Sequence, residues 1–330
     1  MNDAPAAAEP LAIKARGLVK RYGEKVALAG VDIDLPRGTV TAILGPNGAG
    51  KTTAVRILTT LSDADGGHAT VAGFDVATQA HEVRRRIGLT AQDATVDPLL
   101  TGHENLVMVS QLHQLGRREA HARATELLEA FSLTDATDRI ADTYSGGMRR
   151  RLDLAVTLVA HPEVLFLDEP TTGLDPRARA ELWDVLEGLV HMGASLLLTT
   201  QYLDEADRLA DDIVVIDHGR VIARGDARNL KRQVGGDHIG ATVADDADLD
   251  AAAAVLARMC GTEPVTDHAN HTTTAPTTDG VAGLAAVAGA LAEAEIAVED
   301  LSLRQPTLDE VFLTLTGETP SEEQLAGAER

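Results

Sequence analysis

The eight residues GPNGAGKT, Gly45 to Thr52, constrain the fold more than any other stretch of the chain. They match the pattern G-x-x-x-x-G-K-[ST], which requires a strand before it and a helix after it. Thr39–Leu44 has the pattern of a continuous apolar strand, and Thr53–Leu58 has the composition of a helix. An ordinary glycine-rich turn is the alternative interpretation, and a complete match in this context disfavours it.

The loop predicts a binding site for the phosphates of a nucleotide. Its glycines allow consecutive backbone N–H groups to face one anion, and the following helix adds its positive N-terminal end. Lys51 is expected to reach the β- and γ-phosphates, and the Thr52 hydroxyl is expected to ligate Mg²⁺. The candidate nucleotide-binding residues of this segment are Gly45, Pro46, Asn47, Gly48, Ala49, Gly50, Lys51, Thr52 and Thr53.

A second apolar run, Val164–Leu167, ends in Asp168 and is followed by Glu169. Asp168 can hold Mg²⁺ through water, and Glu169 can polarise a water molecule that attacks the terminal phosphate. An acid that merely caps the turn after its strand is the alternative. The phosphate loop in the same chain favours the metal and catalytic roles.

Strand-like and helix-like segments alternate through the first part of the chain and predict an α/β fold. Val164–Leu167 and Ser195–Leu198 are continuously apolar, which is typical of parallel strands that are covered by helices on both faces. Between about residues 100 and 160 the pattern is helical and poor in strands. We therefore expect a helical insert in the α/β domain.

Charge divides the sequence near Gln233–Gly236. Residues 236–330 contain 3 of the 29 basic side chains but 18 of the 51 acidic ones. This block predicts a small domain of β-α-β-β-α-β order, as in ferredoxin-like folds, followed by a helix and a polar tail from residue 318. The predicted segments are Ile239–Val243, Leu249–Met259, Glu263–Asp267, His271–Ala275, Gly280–Glu293, Ile296–Leu303 and the last helix Leu308–Thr316.

Composition excludes some functions. The net charge of −22 disfavours a nucleic-acid partner. The longest uncharged apolar run, Val281–Ala292, is shorter than the roughly 20 residues that a membrane span needs, so a packed helix is expected there. The N-terminus has neither the basic nor the apolar region of a signal peptide. The single Cys260 cannot form an intrachain disulfide.

Two further motifs identify a family. YSGGMR (Tyr144–Arg149) and DEPTTGLD (Asp168–Asp175) follow the phosphate loop in the order found in ABC-transporter ATPase subunits, and the resemblance extends over residues 11–230. It implies a P-loop NTPase fold with a mainly parallel core sheet, an antiparallel subdomain and a helical subdomain at about residues 98–160. The expected domains are 1–235, 236–317 and the tail 318–330.

The resemblance also implies how the protein works. In this family two subunits form a head-to-tail homodimer around two ATP molecules, with Mg²⁺ at each site. Ser145, Gly146 and Gly147 would contact the ATP bound to the other subunit, and Asp175 would bridge the two sites. The alternative for Ser145 is a helix N-cap, and both roles are compatible.

Three further positions correspond to family residues outside these motifs. Tyr22 is placed where an aromatic ring stacks on adenine, although a core tyrosine is the alternative. Gln92 matches the glutamine that contacts Mg²⁺ and moves with the membrane subunit. Gln201 stands where most members have a histidine that contacts the γ-phosphate. We expect Gln201 to act in catalysis with Glu169, as a neutral donor that cannot carry a positive charge. A strand cap facing away from the nucleotide is the alternative.

The segments SGGMRRRLD, TTQYLDEAD and LDEVFL resemble the daunorubicin/doxorubicin-resistance ATP-binding proteins. This resemblance implies the ATP-hydrolysing subunit of a drug or secondary-metabolite export complex at the cytoplasmic face of the membrane. A separate multi-span membrane permease would be its partner. A soluble ABC ATPase switch on ribosomes or DNA, and an importer ATPase, are the alternatives. For the basic run Arg149–Arg151, a solvated or acid-paired helix face is the favoured interpretation.

Overall fold

The structure is a computed structural model that describes residues 11–90, 95–234, 237–304 and Val311. The described chain divides after Asp226 into two compact units. The charge pattern predicts this boundary near residue 235. The structure places it earlier, so the helix Ala227–Val234 belongs to the second unit. Each unit has its own sheets and its own apolar core.

The elements of the first unit alternate as the hydrophobic pattern predicts. Its strands are β1 Leu11–Tyr22, β2 Lys25–Pro36, β3 Val40–Leu44, β4 Gly66–Val71, β5 Phe74–Asp75, β6 Ile87–Thr90, β7 Val164–Asp168, β8 Ser195–Thr200, β9 Asp212–Asp217 and β10 Arg220–Gly225. Its helices are α1 Lys51–Leu58, α2 Ala80–Arg84, α3 Gly102–Leu112, α4 Arg117–Ala130, α5 Gly146–Thr157, α6 Pro176–His191 and α7 Leu203–Leu209.

A mainly parallel sheet of order β10-β9-β3-β8-β7-β6 positions the motifs. Strands β3, β7 and β8 are buried along their whole length, which explains their continuous hydrophobicity. Because β3, β8 and β7 are adjacent and parallel, their carboxyl ends meet at one edge. The phosphate loop, Gln201 and Asp168 follow these three ends, so the topology brings them together.

An antiparallel sheet of order β2-β1-β4-β5 forms a second layer of this unit. Side chains from both sheets share one apolar core that includes Ile13, Ile43 and Phe166. Helices α3, α4 and α5 lie between β6 and β7 in the chain, where the helical insert was predicted. Thr101 is the N-cap of α3 and forms a capping box with Glu104. The Thr101 hydroxyl accepts from the Glu104 N–H, and the Glu104 carboxylate accepts from the Thr101 N–H.

The second unit starts with α8 Ala227–Val234 and then follows the predicted β-α-β-β-α-β order. Its later elements are β11 His238–Val243, α9 Leu249–Cys260, β12 Val265–Asp267, β13 Thr272–Pro276, α10 Gly280–Glu293 and β14 Val298–Arg304. The strands form an antiparallel sheet of order β12-β13-β11-β14, the arrangement of a ferredoxin-like fold. Apart from the buried Val311, the predicted helix Leu308–Thr316 and the tail lie outside the described residues.

Candidate nucleotide-binding and catalytic site

The phosphate loop connects β3 to α1 in a conformation that only glycine permits at two positions. A Cβ atom on Gly45 would lie 2.1 Å from the carbonyl oxygen of Ile216. One on Gly50 would lie 2.5 Å from the carbonyl oxygen of Ala27, and Gly50 also has a φ of +114° as the N-cap of α1. The loop is therefore packed directly against neighbouring backbone, as a rigid anion-binding loop requires.

The Lys51 side chain folds back over this loop. Its Nζ donates to the carbonyl oxygens of Gly45 (2.8 Å) and Pro46 (3.2 Å) and lies 3.4 Å from Glu169 Oε1. Burial lowers the pKa of the Lys51 ammonium, and the nearby Glu169 and Asp168 carboxylates partly offset this effect. The positive charge is thus held where the loop would hold phosphate oxygens.

Oxygen atoms suited to Mg²⁺ meet beside Lys51. Thr52 Oγ1 donates to Asp168 Oδ1 over 3.3 Å, and the Thr199 hydroxyl donates to the same carboxylate oxygen. The described residues contain no cluster of three acidic, histidine or cysteine side chains. Mg²⁺ does not need one, because it commonly takes one or two carboxylates together with substrate phosphates and water. Thr52 and Asp168 therefore fit this metal. Gln92, the third expected metal ligand, lies outside the described residues.

Glu169 is held in an unusual backbone conformation directly after Asp168. Its φ is +51°, in the left-handed region that non-glycine residues rarely adopt. Its N–H donates to both the carbonyl oxygen and the hydroxyl of Thr199, at 3.1 Å each. The side chain is 9% exposed and is directed toward Lys51. Such strain often accompanies a residue whose orientation matters for function.

A cavity of about 310 Å³ opens between the loop and β1. Tyr22 lies at its rim, half exposed, with Lys20 Nζ 5.6 Å from its ring centroid. This exposure excludes the core-tyrosine alternative. The residues that line the cavity are Tyr22, Lys25, Ala27, Asn47, Gly48, Gly50, Lys51, Thr52, Thr53 and Glu169.

The YSGGMR motif, called the signature from here on, lies at the start of α5, which is the signature helix. Ser145 is its N-cap and accepts a hydrogen bond from the Met148 N–H over 3.2 Å. Gly146 lines a second cavity of about 490 Å³, together with Glu169 and Thr172, and does not line the first. Glu169 therefore lines both cavities. Within one chain, the phosphate loop lines only the first cavity and Gly146 lines only the second.

Asp175 begins the next helix in the same way. Its side chain accepts from the Ala178 N–H over 2.8 Å, and Pro176 occupies the first helical position. The structure thus gives Asp175 a local capping role. This role is compatible with the bridging role that the family resemblance implies.

Gln201 lies at the end of β8 and is 9% exposed. The preceding residue contacts the phosphate loop, because the Gly45 N–H donates to the Thr200 carbonyl oxygen over 3.4 Å. Gln201 itself lines neither of the two cavities just described. Gln201 therefore follows a residue that contacts the phosphate loop, but its own side chain does not line either cavity.

Two residues at the site carry no sequence signal of their own. Thr199 contacts both Asp168 and Glu169, and Arg150 contacts the backbone around Glu169. Thr199 belongs to an apolar strand, and Arg150 is the middle residue of a basic run. Only the adjacency of β8 and α5 to β7 could have revealed them.

Comparison with known proteins decides the family. A family model described as ABC transporter matches residues 28–172. The daunorubicin resistance ATP-binding protein DrrA2 of Streptomyces coeruleorubidus is 56% identical over 93% of this chain and 95% of its own length. The chain belongs to the ABC-transporter ATP-binding proteins. It is therefore an ATP-binding protein and an ATPase, as the phosphate loop, signature and acidic strand predict.

Other relatives of this ABC ATPase support the same family and the same fold. The daunorubicin/doxorubicin resistance ATP-binding protein DrrA of Streptomyces peucetius is 50% identical over 93% of this chain and 92% of its own length. A solved structure of cbiO1 from Clostridium perfringens, part of an ABC transporter complex, aligns with a TM-score of 0.63 and 26% identity over 68% of this chain and 95% of its own. The predicted fold class and the resemblance to the daunorubicin-resistance proteins are confirmed.

Among the residues that the structure describes, no helix of the ABC ATPase is long and apolar enough to cross a membrane. This includes α10, which contains the apolar run Val281–Ala292. The prediction of a packed helix for that run agrees with Val287 and Leu291 in the core of the second unit.

Proposed function

We propose that this ABC ATPase powers the export of a drug or secondary metabolite through a separate multi-span membrane permease. The observation that carries the proposal is the coverage by drug-resistance ATP-binding proteins, which reaches 93% of the chain and includes its second unit. The described residues contain no membrane span, so a membrane partner would supply the pathway. The protein would then act at the cytoplasmic face of the membrane as a peripheral subunit.

Within the site we assign roles from the contacts. Lys51 and the loop N–H groups would hold the β- and γ-phosphates, and Tyr22 would support the adenine. Thr52 and Asp168 would hold Mg²⁺, which supplies electrostatic stabilisation of the transferred phosphoryl group. Glu169 would orient and polarise the attacking water. Its position beside Lys51 and next to Asp168 supports this role.

The separate lining of the two cavities supports the proposal of a head-to-tail homodimer. The phosphate loop lines the first, and Gly146 at the N-terminus of α5 lines the second. A bound γ-phosphate in one chain would therefore lack a signature contact from the same chain. A second copy could supply Ser145, Gly146 and Gly147, whose helix N-terminus favours an anion. ATP binding would then close the dimer, and hydrolysis would reopen it.

We propose residues 1–235 as the ATPase domain, residues 236–317 as a regulatory or assembly domain, and residues 318–330 as a polar tail. The second domain has no nucleotide motif. Removal of residues 236–330 should leave ATP binding intact and weaken dimer or permease association. Full transport by the truncated protein would contradict a role for this domain.

The export proposal can be tested in inside-out membrane vesicles from the native cells. ATP should drive uptake of daunorubicin, followed by its fluorescence, when the parent protein is present. The Lys51→Ala variant should support no uptake and should lose the thermal stabilisation that Mg-ATP gives the parent. Hydrolysis without ATP-dependent uptake would contradict drug export while leaving the ATPase assignment intact.

A further inference from the structure

An arginine on helix α5, with a side chain only 14% exposed, contacts the backbone around the proposed catalytic residue. Arg150 Nε donates to the Pro170 carbonyl oxygen over 2.8 Å. Its Nη2 lies 3.3 Å from the Glu169 carbonyl oxygen and 3.4 Å from that of Asp168. One guanidinium thus serves three consecutive carbonyl groups centred on Glu169, the residue with the left-handed backbone conformation.

The partner of Arg150 lies one helical turn further along α5. Asp153 Oδ2 is 3.4 Å from Arg150 Nη1, and the Asp153 side chain is only 1% exposed. The other carboxylate oxygen accepts from the N–H of Thr95 over 2.8 Å and from its hydroxyl. A buried pair of charges is costly to desolvate and is stable only when its remaining atoms are hydrogen-bonded, as they are here.

The other arginines of the same run have different partners. Arg149 lies 3.6 Å from Asp142, and Arg151 lies 3.2 Å from Glu181 on α6. All three are acid-paired, as the sequence interpretation favoured. Arg150 differs because it reaches the loop after β7 and is near several carboxylates. Burial lowers the pKa of its guanidinium, and Asp153, Glu205 and Asp168 offset this effect.

We infer that Arg150 and Asp153 are positioning residues that fix the backbone of Glu169 and join it to Thr95. This inference rests on the proposed catalytic role of Glu169. Arg150 holds the carbonyl groups on both sides of Glu169, so its side chain determines where the Glu169 carboxylate is directed. Asp153 holds both Arg150 and Thr95, so a displacement of Thr95 is transmitted through Arg150 to the backbone of Glu169.

Steady-state hydrolysis by Arg150→Gln and Thr95→Val tests the inference in the full-length protein. Arg150→Gln removes charge-assisted hydrogen bonds, so its kcat should fall by about 10- to 100-fold. The KM for ATP should change by less than about threefold, since the phosphate loop is untouched. Arg150→Lys should recover only part of the rate, because an ammonium cannot serve three carbonyl groups in a plane.

Thr95→Val keeps helix α5 unchanged and removes one hydroxyl donor to Asp153. Its kcat should fall by about three- to tenfold, less than the full loss of one hydrogen bond to a charged group, because the Thr95 N–H still donates to Asp153. This variant keeps the inference testable if Arg150→Gln fails to fold. The matched control is Arg151→Gln, which breaks an ion pair of the same helix with α6 and should keep the parental kcat.

The outcomes separate this inference from the proposed function. If Glu169→Gln hydrolyses ATP at the parental rate, the role of Glu169 fails and the inference fails with it. If Glu169→Gln is inactive while Arg150→Gln and Thr95→Val keep the parental kcat, only the inference is overturned. A loss of kcat that Arg151→Gln matches, or an equal rise in KM, would indicate general destabilisation and would also overturn it.

Discussion

Lys51 Nζ and Glu169 Oε1 lie 3.4 Å apart, with side chains only 4% and 9% exposed. The ammonium that the proposed function assigns to ATP phosphates is therefore an ion-pair partner of the proposed catalytic carboxylate. A γ-phosphate beside Lys51 would compete with Glu169 for the same positive charge. The two negative groups would also repel each other at short range.

The first prediction concerns Glu169→Gln. The amide cannot act as a general base, so hydrolysis should slow by about 10²-fold or more. Mg-ATP binding should be unchanged or tighter, because the variant removes the carboxylate that competes with phosphate for Lys51. Light scattering should show a dimer under saturating ATP. A monomer under these conditions, with the membrane partner present, would contradict the closing mechanism.

The second prediction concerns Gln201. If it donates a hydrogen bond to the γ-phosphate, Gln201→Ala should lose roughly 1.5–3 kcal/mol, or about 10- to 150-fold in the step that uses it. Gln201→His should be tolerated and should make the rate depend on pH near the histidine pKa of about 6.5. Single-turnover hydrolysis at saturating ATP would measure both variants.

The alternative for Gln201 is a strand-end side chain that does not reach the nucleotide. Its absence from the lining of both described cavities gives this alternative a structural basis. Equal single-turnover rates for the parent, Gln201→Ala and Gln201→His would decide in its favour.

The third prediction uses a matched pair of glycines in the signature. A Cβ on Gly147 would lie 2.8 Å from the Ala178 Cβ, whereas the nearest neighbour of a Cβ on Gly146 is a Leu174 methyl at 3.9 Å. Gly147→Ala should therefore destabilise the protein by about 1–3 kcal/mol through overpacking. Gly146→Ala should lose no stability, because alanine favours a helix over glycine. Urea unfolding of both variants measures the difference, and equal stabilities would contradict the packing argument.

The phosphate loop and the acidic strand could be predicted because each is a local pattern. Buried parallel strands are continuously apolar, and the polar residue at each carboxyl end is placed at the same sheet edge. The order of strands and helices in the second unit could be predicted for the same reason, because these elements are short and separated by turns. Its predicted helix Gly280–Glu293 has the observed bounds.

Arg150 and Thr199 could not be predicted because their partners come from other elements. Each residue of a helix points about 100° away from its neighbour, so three successive arginines face three different surroundings. The sequence shows one basic run, and only the packing of α5 against β7 and α6 distinguishes its members. Glu205 is a similar case, because the helix-like segment after Gln201 contains several acids and only one of them is buried within the core.

The last prediction concerns this buried acid. Glu205 is fully buried on α7, where Trp183 Nε1 donates to Oε1 over 3.2 Å. Its Oε2 has no hydrogen-bond partner within the described part of the chain. Burial raises the pKa of the Glu205 carboxyl above its ordinary value, and the neighbouring Thr200, Trp183 and Thr171 side chains offset this only partly.

Because the folded-state pKa lies above the ordinary glutamate value of 4.5, the native protein binds this proton more tightly than the unfolded chain. This tighter proton binding contributes stability to the folded protein that is fully present below pH 4.5 and is lost as pH rises through the folded-state pKa. The loss is about 1.4 kcal/mol for each unit by which the folded-state pKa exceeds the unfolded-state pKa.

Glu205→Gln keeps an acceptor for Trp183 and cannot ionise. Its advantage in free energy of unfolding over the parent should therefore grow as pH rises from 4.5 to 8, measured by urea unfolding at constant ionic strength. A pH-independent difference between Glu205→Gln and the parent would show that Glu205 is not a buried acid with a raised pKa.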